Sequence, residues 1–302
     1  MKILLLLTGI LLSFSASSAD TTKLILPVGV GGLIHKYALD IEPILSKELN
    51  STIVMDFKPG ANGIVGARAL VESKSDKLTL MMGPPHNWRD STNGSKFIDP
   101  INDIVPVAFL GTVPGVIFSK PNNKFKNFKE AIEYSKHTSL TYGIPSGSAN
   151  LPLFKKIAKK YTSETNFVEV FYKSGGPITM DVLGEHIDIG ISVLTSVSEY
   201  IDNGTLIPLA VFSSKRSRNL PNVPTIQELG VGLPDEFKYY NNVFLWANKN
   251  ADPAIIDRLR NSIDQYMSSN ASLDMRSRQD IQMGNRNVST PEKYLKDLLA
   301  DE

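Results

Sequence analysis

Short apolar runs alternate with amphipathic stretches along most of the 302-residue chain, and glycine-rich turns join many of these pairs. The run KLILPV at residues 23–28, for example, ends at the turn VGVGGL. A helical pattern follows, with Tyr37, Ile41 and Leu45 on one face. Apolar runs of this length predict buried strands. Strands that alternate with helices form βαβ units, so the sequence predicts an α/β fold with mainly parallel sheets.

Glycines gather where the predicted strands lead into helices. They cluster at residues 29–32, 60–63 and 143–147, and again at Gly175 and Gly176. Ligands of parallel sheets sit at the carboxyl ends of the strands, where the free amides of helix N-termini attract anions. One glycine-rich turn is usually only a turn. Their repetition in both halves of the chain favours an anion-binding site.

Other elements are read from proline and capping signals. The extended stretch 105–121 breaks near Pro114. Asn127 is a plausible N-cap for a helix that runs to about residue 137. The stretch 221–230 is predicted as a short proline-bounded helix, and two or three helices follow Pro253.

The first 19 residues have the pattern of a secretory signal peptide. Lys2 precedes an apolar stretch over residues 3–12, and Ser17 and Ala19 stand at −3 and −1 of a cleavage site before Asp20. An anchor helix is the alternative, but the apolar run is too short to span a bilayer. The chain has no cysteine that could carry a lipid at the cleavage site. We expect secretion through the inner membrane into a bacterial periplasm.

Charge and motifs argue against several classes of function. The 32 Lys and Arg residues balance 31 Asp and Glu residues without a basic stripe, so no nucleic-acid partner is expected. VGVGGL lacks the last glycine of a dinucleotide fingerprint, and GIPSGSAN contains no nucleophile elbow. The four histidines are scattered, which argues against a metal site. We therefore expect binding without chemistry, with no cofactor and no metal.

Five stretches carry a family resemblance. They are LPVGVGG, KPGANGIVGARAL, LTYGIPSGSANL, FYKSGGPITMDVLGEHIDIG and LAVFSSKRSRNLPNVPTIQELG. In this order, and over nearly the whole chain after residue 19, they resemble the substrate-binding proteins of tripartite tricarboxylate transporters, the Bug family. The last stretch is the most specific, because residues 221–230 reproduce the family pattern Pro-x-Val-Pro-Thr-x-x-Glu-x-Gly.

The resemblance implies a two-lobed periplasmic-binding-protein fold. This is a Venus flytrap, type II-like, with a central sheet in each lobe and a two-strand hinge. Lobe 1 would comprise residues 20–118 and 240–302, and lobe 2 would comprise residues 119–239. The hinge strands would lie near residues 116–121 and near either 206–213 or 239–247. We expect a monomer.

Family members bind small carboxylates in the cleft, mainly through backbone amides, hydroxyls and ordered waters. Carried over to this sequence, the ligand-binding residues would be Val30, Gly31, Gly32, His35, Pro85, His86, Ser146, Gly147, Ser148, Ala149, Tyr172, Ser174, Gly175, Asp188 and Ser192. The segment 59–63 would buttress the cleft or contact the other lobe on closure.

The sequence departs from the family pattern after its first glycine-rich turn. The family often has an Asp three residues after the double glycine and then an Ala-Arg pair, whereas this chain has His35 and Leu39. Because the Asp would pair with an ammonium group, its loss disfavours an amino-acid ligand. Dicarboxylic and aromatic acids both remain suitable. His35 would either assist an anion or be a surface or capping residue without a ligand role.

The sequence thus predicts a periplasmic solute-binding protein, not an enzyme. It would capture a di-, tri- or aromatic carboxylic acid for the membrane subunits of a tripartite transporter. A sensor protein that presents the ligand to a signalling receptor is the alternative. A secreted enzyme is less favoured, because no nucleophile or acid–base pair stands out.

Overall fold

The computed structural model describes residues 20–73, 77–84, 98–121, 124–146, 148, 150–161, 166–231, 241–278, 281 and 291–300. Within these residues, ten strands form two five-stranded sheets. The strands are β1 (Thr21–Leu26), β2 (Thr52–Phe57), β3 (Thr79–Gly83), β4 (Ile104–Val113), β5 (Gly115–Ser119), β6 (Leu140–Pro145), β7 (Phe167–Tyr172), β8 (Ile189–Val193), β9 (Ile207–Phe212) and β10 (Asn241–Asn248).

Helices pack on both sheets. They are α1 (Leu33–Leu49), α2 (Ile64–Val71), α3 (Phe128–Ser135), α4 (Asn150–Tyr161), α5 (Gly175–Leu183), α6 (Ser198–Asp202), α7 (Pro253–Met267), α8 (Asn270–Arg278) and α9 (Pro291–Ala300). Among the described residues, no helix has the length and apolar character that crossing a membrane requires. The predicted signal peptide, residues 1–19, lies outside the described residues.

The first sheet has the strand order β2-β1-β3-β10-β4. Strand β1 runs parallel to β2 and β3, whereas β10 is antiparallel to both β3 and β4. On one face, α1 buries Tyr37, Ile41 and Leu45 against the sheet and α7. On the other face, Trp246 belongs to a second apolar cluster and donates its indole N–H to the Gly83 carbonyl at 2.9 Å. We call this sheet and its helices the first lobe.

The second sheet has the order β7-β6-β8-β5-β9. Strand β6 is parallel to β7 and β8, and β5 is antiparallel to β8 and β9. Apolar clusters cover both of its faces, one around Phe154 and one around Phe118. We call this sheet and helices α3–α6 the second lobe.

The prediction of mainly parallel sheets is wrong for the strands that enter from the other lobe. Strands β5 and β10 are the antiparallel members, and each follows a segment of the opposite lobe. A strand that arrives from the other lobe enters its sheet at the end where the βα strands finish. It therefore has to run against them.

The chain passes from the first sheet to the second at Pro114, between β4 and β5. The lobe boundaries stay a proposal, and the pairing of β5 with β8 and β9 moves the first of them from residue 118 to Pro114. Strand β9, within the suggested hinge segment 206–213, lies at the edge of the second sheet. The other suggested segment includes β10, which follows residues outside the described part.

Two local predictions have different outcomes. Asn127 is the N-cap of α3, and its side chain accepts a hydrogen bond from the Glu130 amide at 3.0 Å, which confirms the predicted cap. The stretch 221–230 forms turns rather than the predicted helix. There, the side chain of each of Thr225 and Glu228 accepts a hydrogen bond from the backbone amide of the other, as at a helix start. Gly230 then adopts a left-handed conformation at φ +82, which ends the segment after about one helical turn.

Candidate functional site

A cavity of about 300 Å³ lies between the carboxyl ends of the strands of both sheets. The first lobe borders it with segments 27–28, 32–34 and 59–61 and with Gly63, Pro84, Asn242 and Val243. The second lobe borders it with segments 145–146, 173–175 and 192–193 and with Ser148, Asn150 and Ser196. The glycine-rich turns thus meet in one cleft because each follows the same end of its strand.

The second lobe supplies most of the polar side chains. We define the polar wall as the side chains of Ser146, Ser148, Asn150, Lys173, Ser174, Ser192 and Ser196. Pro145 and Val193 are the apolar side chains on that side of the cavity. Lys173 is the one charged side chain among the described lining residues, so that lining carries a positive charge and no negative one.

The N-terminus of α5 faces this wall without a side-chain cap. Ser174 is the N-cap residue, and its side chain makes no capping hydrogen bond. The next residue, Gly175, lies so close to Ser192 that a Cβ at this position would overlap the Ser192 hydroxyl. The first amides of α5 and the hydroxyls of Ser174 and Ser192 therefore border the same end of the cavity.

Unpartnered oxygens mark the same side of the cleft. Asn150, the first residue of α4, is 1% exposed, and its Oδ1 atom has no hydrogen-bond partner in the described part of the chain. The Oγ atom of Ser196 and the Oγ1 atom of Thr195 are buried and unpartnered as well. Buried polar groups are rarely left unpaired. These atoms are consistent with a site whose polar contacts come from a ligand or from ordered water.

The first lobe presents a mostly apolar surface. We define the apolar wall as the side chains of Pro27, Val28, Leu33, Ile34, Pro59, Ala61, Pro84 and Val243. Asn242 is the polar side chain on this side among the described residues. One amide of the adjacent turn is already used, because Gly31 donates its N–H to His35 Nδ1 at 3.1 Å.

The two lobes are in contact across the cleft. Lys36 on α1 donates a hydrogen bond from Nζ to the carbonyl of Thr195 in the second lobe at 3.1 Å. A Cβ placed on Gly29 or Gly32 would lie 3.5 Å or 3.7 Å from the side chain of Ser174. The turn that precedes α1 therefore packs directly on the start of α5, and the two lobes touch at this place.

The structure brings six of the predicted ligand-binding residues to the cavity. They are Gly32, Ser146, Ser148, Ser174, Gly175 and Ser192. Val30, Gly31 and His35 belong to the neighbouring turn but do not line the cavity, and Val30 is 64% exposed. Pro85, His86, Gly147 and Ala149 lie outside the described residues.

Two predicted ligand residues are held elsewhere in the second lobe. Asp188 precedes β8, at the end of the sheet opposite to the cavity, and its carboxylate accepts hydrogen bonds from the Thr141 amide and hydroxyl at 2.8 Å each. The family pattern identified this Asp, but its position at the start of a strand removes it from the cleft. We therefore omit Asp188 from the proposed site.

Tyr172 also points to a partner outside the cavity lining. Its hydroxyl donates to Asp181 on α5 at 2.5 Å. Burial and this hydrogen bond raise the pKa of Tyr172 to about 12. The same bond, with a smaller contribution from His186, lowers the pKa of Asp181. Tyr172 thus fixes α5 to β7, and we omit it from the proposed contact set.

Sequence reasoning missed Asn150, Lys173, Ser196 and Asn242. Lys173 precedes the predicted Ser174 and matches the Lys of the Tyr-Lys family pattern, so the sequence could have identified it as a site residue. Asn150 and Ser196 follow predicted turns, but only the packing of α4 and β8 brings them to the cavity. Segment 59–61 and Gly63 were expected to buttress the cleft, and the structure places them on its lining. Among the described residues, no group of His, Asp or Glu side chains is arranged to hold a metal.

Comparison with known proteins identifies the family. The family model described as tripartite tricarboxylate transporter family receptor matches residues 39–302. The chain belongs to this family. The receptor is similar to protein BugT of Bordetella pertussis, strain Tohama I, with 29% identity over 268 residues that cover 85% of this chain and 81% of BugT. The resemblance found in the sequence is confirmed, and the family assignment places the chain among receptors rather than enzymes.

Solved structures share the fold of the receptor. The structure of R. palustris Rpa4515 with adipate has a TM-score of 0.78 and 21% identity, with 94% of each chain covered. MatC (Rpa3494) from Rhodopseudomonas palustris with bound malate has a TM-score of 0.76 and 19% identity, with 93% of this chain and 97% of MatC covered. The predicted α/β, two-lobed periplasmic-binding-protein fold is confirmed.

Proposed function

We propose that the receptor captures a small carboxylate in its cleft and delivers it to the membrane subunits of a tripartite transporter. The observation that carries this proposal is the polar wall, whose serine hydroxyls and one lysine lie beside the uncapped N-terminus of α5 in the cavity between the lobes. The described lining contains no acidic side chain that would repel an anion or pair with an ammonium group.

The amides at the start of α5 give the anion its main binding groups. The first N–H groups of a helix have no partner within the helix, and the helix dipole adds about half a positive charge at that end. Ser174 leaves these groups uncapped, and the hydroxyl of Ser192 lies beside Gly175. Lys173 adds a full positive charge at the edge of the same wall. Such a site holds a carboxylate without transforming it.

Two proteins of the same fold support this choice of ligand class. Rpa4515 was solved with adipate and MatC with malate, and both ligands are carboxylates. We further propose that the receptor acts as a monomer in the periplasm after removal of residues 1–19. N-terminal sequencing of protein from a periplasmic extract tests the cleavage, because a mature chain that does not start at Asp20 contradicts it.

A thermal-shift panel of mono-, di-, tri- and aromatic carboxylates tests the proposed function. At a ligand concentration 100-fold above Kd, binding stabilises the folded state by about 2.7 kcal/mol. For a protein of this size, that energy raises Tm by several degrees. Neutral amides of the same acids serve as controls and should give no shift. If no carboxylate in a broad panel shifts Tm, the proposed function is wrong.

A further inference from the structure

The cavity divides its polar and apolar groups between the two lobes. The polar wall belongs to the second lobe, whereas the apolar wall belongs to the first. Asn242 is the single polar side chain that the described part of the first lobe adds to the lining. The side chains of the two walls therefore differ in polarity, and such a cavity can distinguish the two ends of a ligand.

Three of the unpartnered buried oxygens lie on the same side of the cavity as the positive charge of Lys173. Among the described residues, Asn150 Oδ1, Ser196 Oγ and Thr195 Oγ1 are buried without hydrogen-bond partners, and all three belong to the second lobe. A fourth such oxygen, Ser119 Oγ, lies at the end of β5 that is remote from the cavity. Asn150 and Ser196 border the cavity, and Thr195 is adjacent to Ser196. The hydroxyls of Ser196 and Thr195 can donate to a carboxylate, whereas Asn150 Oδ1 is an acceptor and needs a donor, such as an ordered water or a hydroxyl of the ligand.

The first lobe offers an anion fewer side-chain partners, although the N-cap residue of α1, Gly32, makes no side-chain capping hydrogen bond either. At its glycine-rich turn, the Gly31 amide is bonded to His35 Nδ1, and Lys36 reaches across to the Thr195 carbonyl. Leu33 and Ile34, which begin α1, are each 7% exposed and border the cavity with apolar side chains. A second carboxylate placed here would lose its water without gaining a charged partner among the described residues, and such desolvation is costly.

We infer that the ligand is an acid with one carboxylate and an apolar body. The carboxylate would bind the polar wall of the second lobe, and an alkyl or aromatic body would lie against the apolar wall of the first lobe. This inference rests on the proposed function, because it narrows the class of carboxylates that the same site accepts. It disfavours the di- and tricarboxylic acids, which the sequence left suitable beside aromatic acids.

Two matched ligand pairs test the inference by calorimetry on the mature chain. Hexanoate and adipate share six carbons, and benzoate and terephthalate share an aromatic ring, so each pair differs by one carboxylate. We expect the single acid of at least one pair to bind at least about 10-fold more tightly than its diacid, because the second carboxylate must be buried without a partner.

The outcomes of this comparison are distinct. If the diacid binds more tightly than its single acid in both pairs, the inference is wrong but the proposed function is unaffected. If the protein binds only other acids with two or more carboxylates, the inference is likewise wrong and the proposed function is again unaffected. Failure of every carboxylate to bind contradicts the proposed function itself.

Two variants, one in each wall, test whether the walls cause the preference for acids with one carboxylate. Ala61→Lys adds a positive charge to the apolar wall at an exposed position that already carries a Cβ at φ +43. It should improve diacid binding at least about 5-fold relative to the matched single acid. Lys173→Met should instead weaken both members of a pair by a similar factor of about 10, whereas the exposed Lys156→Met on α4 should change neither. An unchanged diacid ratio in Ala61→Lys would contradict the assignment of the apolar wall.

Discussion

At the level of single residues, the polar wall requires a residue without a side chain at position 175. Gly175 and Gly176 are neighbours at the start of α5, and neither has a positive φ. They differ in what a side chain would meet. A Cβ on Gly175 would overlap the Ser192 hydroxyl and approach Ser196 Oγ to 3.3 Å, whereas a Cβ on Gly176 would meet nothing within 4 Å. The absence of a side chain at Gly175 is therefore required by the cavity rather than by the backbone.

This contrast gives a matched pair of substitutions. Gly175→Ala should weaken carboxylate binding about 10-fold or more, because the methyl group displaces the Ser192 hydroxyl and fills part of the anion site. Gly176→Ala should bind normally and should be slightly more stable, since Ala is favoured over Gly in helices. Titration calorimetry and Tm of both variants provide the measurement. Normal binding by a folded Gly175→Ala protein would remove the α5 N-terminus from the site.

At the level of single elements, the start of α3 is fixed by a local capping pattern that can be recognised in the sequence. Asn127 accepts from the Glu130 amide, and Glu130 Oε2 accepts from the Lys126 amide at 2.7 Å. Two backbone amides at this helix start, one before the N-cap and one in the first turn, are thereby satisfied within five residues. The buried face of the helix, which includes Phe128 and Ile132, is positioned against the second sheet by this start.

Removal of the cap should reduce stability and leave binding unchanged. Asn127→Ala should lower the free energy of unfolding by about 1 kcal/mol, because the Glu130 amide loses its acceptor. Urea denaturation measures the change, and the exposed Lys129→Ala on the same helix is the control that should show no loss. Equal midpoints for Asn127→Ala and the unmodified protein would contradict the capping role.

At the scale of the whole molecule, a hydrogen bond connects the lobes only when they are close. Lys36 Nζ reaches the Thr195 carbonyl from the other side of the cleft at 3.1 Å. Val193, at the end of β8 in the second lobe, also packs against the apolar core of the first lobe. Contacts that exist in one arrangement of the lobes and not in the other bias the equilibrium toward closure.

Loss of the lysine should favour the open arrangement. Lys36→Met should weaken ligand binding about 5-fold, since a partly exposed hydrogen bond contributes about 1 kcal/mol. Small-angle scattering of the ligand-free variant should show a larger radius of gyration, and saturating ligand should restore the compact form. Lys156→Met serves as the control. A variant with unchanged affinity and unchanged scattering would show that this bond does not affect closure.

Local sequence patterns were enough to predict most of the elements and the family, although the helix predicted at 221–230 is not formed. The helical period of Tyr37, Ile41 and Leu45, the cap at Asn127 and the glycine turns at strand ends are local patterns, and the structure contains each of them. Five of the predicted ligand-binding residues reach the cavity because a turn after a βα strand lies at the carboxyl edge of its sheet, and the sixth, Ser192, lies near the carboxyl end of β8 itself. Local patterns of this kind are set by backbone geometry, which is the same in every fold.

The strand directions and the chemistry of the two walls depend on the tertiary structure. The antiparallel course of β5 and β10 follows from entry into each sheet from the other lobe. Asp188 and Ser192 are close in sequence, but β8 places them at opposite ends of the sheet. Asn150 and Ser196 meet at one wall through the packing of separate elements. These features depend on contacts between distant segments, and no single stretch of sequence contains them.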